Sequence, residues 1–527
     1  MRETGREKDG SYSLSLMQRF FLPIIIVALT LSLFRLGAVK LFDVDEAVFS
    51  EATREMVIDH NWITPTYNGN NRYDKPILFY WLMAGSYELF GVDEFAARLP
   101  SALAAILLTA ALFFFSARAG NKRYKGYAAL SAVLSVYFLV YSRAAVTDMA
   151  LTLFISLSLF SFYLFSEQDG RRFYRDGFYL FSALAFLTKG LIGIVFPFGI
   201  ALVYMAVTEG RRGLKKVFSL RGSILFLIVA APWYLAQLRI NGWEFVDQFF
   251  IKHHFKRFTD VISGHQGPFY YYVPVMIIGL FPWVAFLPAG IRSALKEKKG
   301  ISLFSLIWLG FIFLFFSLST TKLPNYVLPA MPAAALLIGM GMSQAEGNWR
   351  RYSHVSMGVL AAVLGAVFFI ARGRLPGSVA HDAGWLLPLA AITLIIAGIC
   401  FFSAFSRRSH YGPIALLMTA FLFLLLLKGL PLASDYLQGT LYRYSIYAKE
   451  NLRPDEGLIV FGLNKPSIAF YSARRIITAD DKKDLVALPE NKVHSIAIAK
   501  VQDIGLFQGL GYYLVNHDSQ YAILERK

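Results

Sequence analysis

Residues 20–47 read FFLPIIIVALTLSLFRLGAVKLFDVDEA, an apolar run followed by three carboxylates, Asp43, Asp45 and Glu46. An apolar helix of roughly twenty residues is long enough to cross the hydrocarbon of a bilayer. Acids at the mouth of such a span are costly to keep beside lipid. They line polar cavities instead, where they pair, bind a cation or do chemistry. The stretch therefore raises two questions: how often the chain crosses a membrane, and what else arrives at that acidic mouth.

Composition answers the first in outline. Of 527 residues, 56% are hydrophobic, 16% aromatic and only 17% charged, and the mean hydropathy is +0.49. A soluble chain of this size could not bury so much apolar surface, so the class is a polytopic α-helical membrane protein. The 52 Lys and Arg against 35 Asp and Glu give a formal charge of +17. In a membrane protein that excess sets topology or meets anionic lipid, and no aromatic-interleaved basic patch points to nucleic acid. The lone Cys400 excludes an internal disulfide and a cysteine zinc cluster. No small-residue cleavage site follows Phe20–Leu33, which reads as an uncleaved first span.

Apolar segments near 19–39, 97–117, 124–142, 147–166, 174–188, 190–208, 220–238, 270–290, 301–318, 324–343, 352–371, 384–404 and 411–430 predict about thirteen crossings. Pro76–Phe90 is short for a crossing and fits an interfacial helix within an outer loop, 40–96. Leaving it out places the basic clusters on one side: Arg2/Arg6/Lys8/Arg19, Arg118/Lys122/Arg123/Lys125, Arg171/Arg172/Arg175, Arg211/Arg212/Lys215/Lys216, Arg292/Lys296/Lys298/Lys299, Arg350/Arg351 and Arg407/Arg408. The positive-inside rule makes that side cytoplasmic, with residues 1–18 as a cytoplasmic N-terminus. Asp43, Asp45, Glu46, Lys75, Asp148, Lys189, the Lys252–Arg257 cluster, His265 and Lys322 then fall on the opposite face. Beyond a membrane region of 19–430, residues 431–527 change character. Gly457–Gly462, Arg475–Thr478, Val493–Lys500 and Tyr521–Leu524 read as short strands, with helices over Lys465–Ser472 and Lys482–Leu488, a small α/β domain on the outer face.

Several motifs reach that face. Asp43-Val44-Asp45-Glu46 either caps a helix, whose positive end favours acids, or supplies a carboxylate that accepts an acceptor's proton. Asp45 and Glu46 are adjacent and diverge on a helix, so they do not share one task. In Asn71-Arg72-Tyr73-Asp74-Lys75-Pro76, Lys75 either snorkels or provides a point charge for a lipid phosphate. Asp148 opens a later span as an N-cap or a second functional acid, and Lys189 ends a helix that would favour a cation in any case. Lys252-His253-His254-Phe255-Lys256-Arg257 gathers positive charge on the face that should be poor in it, which fits a phosphate-linked lipid. His253, His254 and His265, with Asp74, are the candidates for a metal, though their spacing matches no closed zinc motif. In Thr321-Lys322-Leu323-Pro324-Asn325-Tyr326, Lys322 and Tyr326 either anchor the interface or touch phosphate oxygen. Acids on one side and cations on the other suit a transfer with an anionic leaving group.

The order of these motifs resembles bacterial polyprenyl-phosphate-sugar glycosyltransferases of the GT-C superfamily, and within it the aminoarabinose transferases that modify lipid A and the protein O-mannosyltransferases. The resemblance implies a GT-C-like membrane domain, Asp45 or Glu46 together with Asp148 as catalytic acids, and phosphate contacts from Lys75, Arg257 and Lys322; Tyr73, Lys189 and Tyr326 join the substrate-binding candidates from their own motifs. One departure is Asp74 before Lys75-Pro76, where the aminoarabinose enzymes carry Glu. The expectation is an inner-membrane enzyme with its site facing the periplasm, moving a sugar from a polyprenyl-phosphate donor to a lipid, glycan or protein acceptor with inversion. A divalent cation is compatible and not demanded. Membrane lipids are partners, and nucleic acid is not. A transporter or flippase of polyprenyl-linked substrates is the rival reading. It predicts charges spread toward the midplane rather than clustered at helix ends.

Overall fold

A computed structural model of the chain describes residues 20–119, 126–249, 267–374, 383–486 and 494–527. Among them, nine helices are long and apolar enough to cross a membrane, or ten if one sharply bent pair counts as a span. The expected thirteen is therefore too many, and four segments account for the difference. The first apolar segment is described from Phe20 as the helix Phe20–Leu33, and it ends where the chain turns at Arg35, whose φ is 50°. The segment 124–142 breaks into Tyr127–Val133 and Val136–Tyr141 where Ser135 caps the second piece, accepting from Phe138 N at 3.2 Å. The segment 270–290 bends by 111° between Tyr272–Gly279 and Trp283–Glu297, beside Pro282, which cannot donate to a helical ladder. The helix Arg172–Lys189 carries Arg172, Arg175, Asp176 and Lys189 and is amphipathic rather than uniformly apolar. Pro76–Phe90, left out of the count, becomes the thirteen-residue helix Leu78–Phe90, too short to cross.

A helical hairpin builds the centre of the molecule. Helix Asp148–Leu164 descends, the chain reverses at Gly170, and Arg172–Lys189 returns against it. Ser158 and Ser182 meet between them at 2.8 Å, both near the Phe178 carbonyl. The next turn is tight. Gly190 takes φ +74°, and a Cβ on Gly193 would lie 2.3 Å from the Ala185 carbonyl carbon, so only glycine lets helix Ile192–Val217 begin there. The two glycines thus fix where Lys189 stops. Further along, Gly300–Leu318 leads into the short turn Pro324–Ala330, pinned by the Trp308 indole donating to Pro329 O at 2.9 Å. Following the helices end to end, Arg171/Arg172/Arg175, the 211–216 cluster, Lys296–Lys299, Arg350/Arg351 and Arg407/Arg408 gather at the ends opposite Asp148 and Lys189.

From Leu430–Asn451, a long helix, the chain enters a five-stranded mixed sheet of order β4-β3-β5-β7-β6. These are Gly457–Phe461 (β3), Ile477–Ala479 (β4), Ser495–Lys500 (β5), Tyr513–His517 (β6) and Tyr521–Arg526 (β7); β1 (Thr66–Tyr67) and β2 (Asn70–Asn71) form a separate ribbon in the first loop. β3 pairs parallel with β4 and β5, and β7 antiparallel with β5 and β6. Alternate residues serve two layers, as strand geometry requires. Leu458, Val460, Ile496, Ile498 and Ile523 pack on Leu441, Tyr444 and Ala448 of the long helix. Ile459, Phe461, Ala497, Ala499 and Leu524 pack on Phe507 and Tyr512.

Candidate active site

One cavity of about 610 Å³ opens where the helix ends meet the first loop and the C-terminal sheet region. Its acids are Asp45, Asp74 and Asp148, and its cations Arg72, Lys75 and Lys189, with Tyr67, Asn325, Tyr326 and Asn464 among the polar walls. Leu151, Leu191, Ile192, Val195, Phe315 and Phe316 supply an apolar flank.

Asp45 begins helix Asp45–Ile58 and is exposed to the cavity. Among the described residues it makes no hydrogen bond or ion pair. Asp148 begins its own helix and is differently placed: Lys189 Nζ donates to its Oδ1 at 2.6 Å and Asn325 Nδ2 to the same oxygen at 3.1 Å. The ion pair closes the open end of the hairpin, and the Lys189 ammonium also lies 5.7 Å from the Tyr326 ring centroid. Asp74 is bound by Arg72 at 2.6 Å, while Arg72 also donates to the Tyr80 hydroxyl at 3.2 Å. Lys75 lines the cavity and donates to the Asp74 carbonyl at 3.0 Å. Burial, together with the nearby Glu51 and Asp43 carboxylates, pushes the Tyr67 phenol up to about 12, so it keeps its proton and remains a donor at neutral pH.

Other expected residues lie elsewhere. Glu46 is buried behind the cavity, and both its oxygens are engaged: Oε1 by Arg98 Nε (2.7 Å) and Ala145 N (2.9 Å), Oε2 by Arg98 Nη2 (2.9 Å) and Phe42 N (2.9 Å). Adjacent acids thus diverge, one to the cavity and one to an internal ion pair. Tyr73 is buried, its hydroxyl accepting from Asn71 at 2.9 Å, and borders a smaller polar recess of about 350 Å³ rather than the main cavity. Lys322 is buried just behind the wall, donating to Ser317 O at 3.1 Å and to Ser319 O. Arg257, His253, His254 and His265 lie outside the described residues. Among the described residues no three His, Cys, Asp or Glu side chains gather as a metal site, and Asp74 sits with Arg72 instead. Sequence reading passed over Arg72 and Asn325, although each lies inside a motif it had singled out. Asn464 carried no signal, being brought in from the C-terminal region only by the fold.

The helical bundle thus gathers acids and cations at one end and is followed by an α/β region. The crystal structure of ArnT from Cupriavidus metallidurans bound to undecaprenyl phosphate superimposes with a TM-score of 0.82, covering 96% of this chain and 97% of that one at 23% identity. A family model described as dolichyl-phosphate-mannose-protein mannosyltransferase matches residues 74–235. An uncharacterized Aquifex aeolicus protein is 31% identical over 348 residues, 66% of this chain and 78% of its own. The undecaprenyl phosphate-alpha-4-amino-4-deoxy-L-arabinose arabinosyl transferase of Aeromonas hydrophila is 33% identical over 307 residues, 56% of this chain and 55% of its own. The chain belongs to the same family as that Aquifex aeolicus protein, shares its fold with the Cupriavidus metallidurans ArnT, and is similar to the aminoarabinose transferases over part of their length. It spans between 55% and 60% of the length of six aminoarabinose transferases.

Proposed function

We propose that the protein transfers a sugar from a polyprenyl-phosphate donor to an acceptor at the non-cytoplasmic face of the inner membrane. The observation that carries this reading is one cavity in which Asp45, its carboxylate unpaired among the described residues, shares the walls with Arg72, Lys75 and Lys189. The basic clusters at the far helix ends support the orientation through the positive-inside rule, and in this reading residues 431–527 share the outer side with the site. The apolar flank suits the first isoprene units of a prenyl chain. The relatives named for undecaprenyl phosphate aminoarabinose transfer support an undecaprenyl-phosphate-linked donor, and the acceptor is a lipid, a glycan or a protein.

In the proposed step an acceptor oxygen attacks the anomeric carbon from the side opposite the phosphate. The carbon–oxygen bond to phosphate breaks with its electron pair, and configuration inverts. The departing phosphate gains charge beside Lys75, Arg72 and Lys189, which stabilise it. A hydroxyl acceptor gives its proton to Asp45; a phosphate acceptor is already anionic, and Asp45 then orients it.

Reconstitution in vesicles with a labelled polyprenyl-phosphate sugar and candidate acceptor lipids tests this directly. Mass spectrometry should find an acceptor heavier by one sugar and an equal amount of free polyprenyl phosphate. Intact donor moved to the opposite leaflet, with no sugar transferred, would overturn the proposal in favour of transport. Lys189→Met offers a finer check, since it keeps most of the stem and removes the charge. A charge-assisted hydrogen bond contributes about 1.5–3 kcal/mol, so donor KM should rise about 10- to 100-fold. An unchanged donor KM in Lys189→Met would remove this lysine from the phosphate site.

A further inference from the structure

The strap that carries Asp45 into the cavity is held from the far end of the chain. Four consecutive backbone N–H groups, Lys40 to Asp43, have side-chain acceptors, and three of those belong to residues beyond 430. Lys40 N donates to Ser434 Oγ at 2.9 Å and Leu41 N to the Tyr471 hydroxyl at 2.7 Å. Asp43 N donates to Gln438 Oε1 at 3.1 Å, with the amide oriented so that Gln438 Nε2 donates back to Asp43 Oδ2 at 2.9 Å. Phe42 N alone turns inward, to Glu46. The Asp43 carboxylate is then clamped a second time, by Ser467 N on Oδ1 at 2.9 Å and Ser467 Oγ on Oδ2 at 2.7 Å. Gln438 and Ser434 are buried on helix Leu430–Asn451, and Ser467 is buried at the start of the Ser467–Ser472 helix. The loop just before Ser467 supplies Asn464 and Pro466 to the cavity wall itself.

We infer that Gln438 and Ser467 are positioning residues, through which the C-terminal region sets Asp43 and thereby the placement of Asp45 against the donor. This rests on the proposed transferase reading. Asp43 is a part-buried carboxylate two residues from the reacting acid, and its oxygens spend their acceptor capacity on this clamp. Burial pushes its pKa above the ordinary carboxylate range, against the two Ser467 bonds and the charge of Lys465. A helix in which Asp45 is the first residue has no intrahelical bond to hold that acid from its N-terminal side. The clamp supplies the missing constraint from the other direction. The C-terminal region is therefore part of the site, and not a separate module tethered near it.

The consequence is a split between turnover and binding. Misplacing a reacting group by about 1 Å costs on the order of 100-fold, whereas cations on other elements still hold the phosphate. In the full-length reconstituted protein, the Ser467→Ala/Gln438→Leu pair should lower kcat about 10- to 100-fold while donor KM and the affinity for polyprenyl phosphate stay within about threefold. Ser467→Thr, which keeps the hydroxyl, should restore most of the turnover when Gln438 is intact. Thermal melting of the same samples reports folding. Normal kcat in a folded double variant, or a fall in kcat matched by equal loss of polyprenyl-phosphate binding, would overturn the inference. So would a Ser467→Thr variant as slow as Ser467→Ala. Asp45→Asn assayed alongside keeps the two readings apart. If it is inactive while the double variant turns over normally, only the positioning role fails; if it is fully active, the transferase site itself fails.

Discussion

Asp45→Asn should lower turnover about 10²- to 10⁴-fold with a hydroxyl acceptor, the usual contribution of a positioned general base. The substitution keeps the shape and leaves the helix start intact, since asparagine is also tolerated there. Loss of one carboxylate at a helix N-terminus costs only about 0.3–1 kcal/mol. Melting should therefore barely move, and the fall in rate reports chemistry rather than folding. The size of the fall also identifies the acceptor. A phosphate acceptor needs no base, so Asp45→Asn should then act mainly on acceptor KM. Initial rates with a hydroxyl-bearing and a phosphate-bearing acceptor distinguish the cases. Rates within about twofold of the unchanged protein for both would exclude Asp45 from the reaction.

Why Asp45 and not its neighbour was the harder thing to read. The sequence shows three acids after an apolar run, and adjacency alone says that two of them diverge on a helix. Which one faces the cavity depends on Arg98, some fifty residues on, whose guanidinium captures Glu46. Nothing in the local pattern announces that partner, because an arginine inside an otherwise apolar helix reads equally as a snorkelling end. Three of the cavity's other charges were legible for a simpler reason. Lys75, Asp148 and Lys189 all stand at helix or loop boundaries, where a charge needs a polar destination. The span count erred for the converse reason. Hydropathy windows see apolar content but not the Ser135 break, the bend at Pro282 or the early end of the first helix. The contribution of Gln438, Asn464 and Ser467 was invisible, since contacts separated by about four hundred residues leave no periodic trace. β6 was missed because only Leu514 and Val515 in it are apolar and the strand is an irregular sheet edge.

Arg98→Met should be the most destabilising single change considered for this chain. The guanidinium is 1% exposed. It makes two bonds to Glu46 and three to the carbonyls of Leu36, Val39 and Lys40, at 3.2, 2.7 and 2.9 Å. Removing one member of a buried pair leaves an uncompensated charge and costs about 3–5 kcal/mol. Three carbonyls of the 36–40 turn lose their donor as well, which places the loss toward the upper end. Glu46→Gln should cost less, because the amide oxygen can still accept from Arg98 or Ala145 N. The double variant should be more stable than the sum of the singles implies, since no charge is then left unpaired. Thermal or denaturant unfolding of the purified protein in detergent measures all three. A loss under about 1 kcal/mol for Arg98→Met would mean that the pair is hydrated and the buried ion-pair account is wrong. The comparison with Asp45→Asn completes the argument about the acidic stretch. Two neighbouring carboxylates should fail in different assays, Glu46 in stability and Asp45 in turnover, because a single arginine has claimed one of them for the fold.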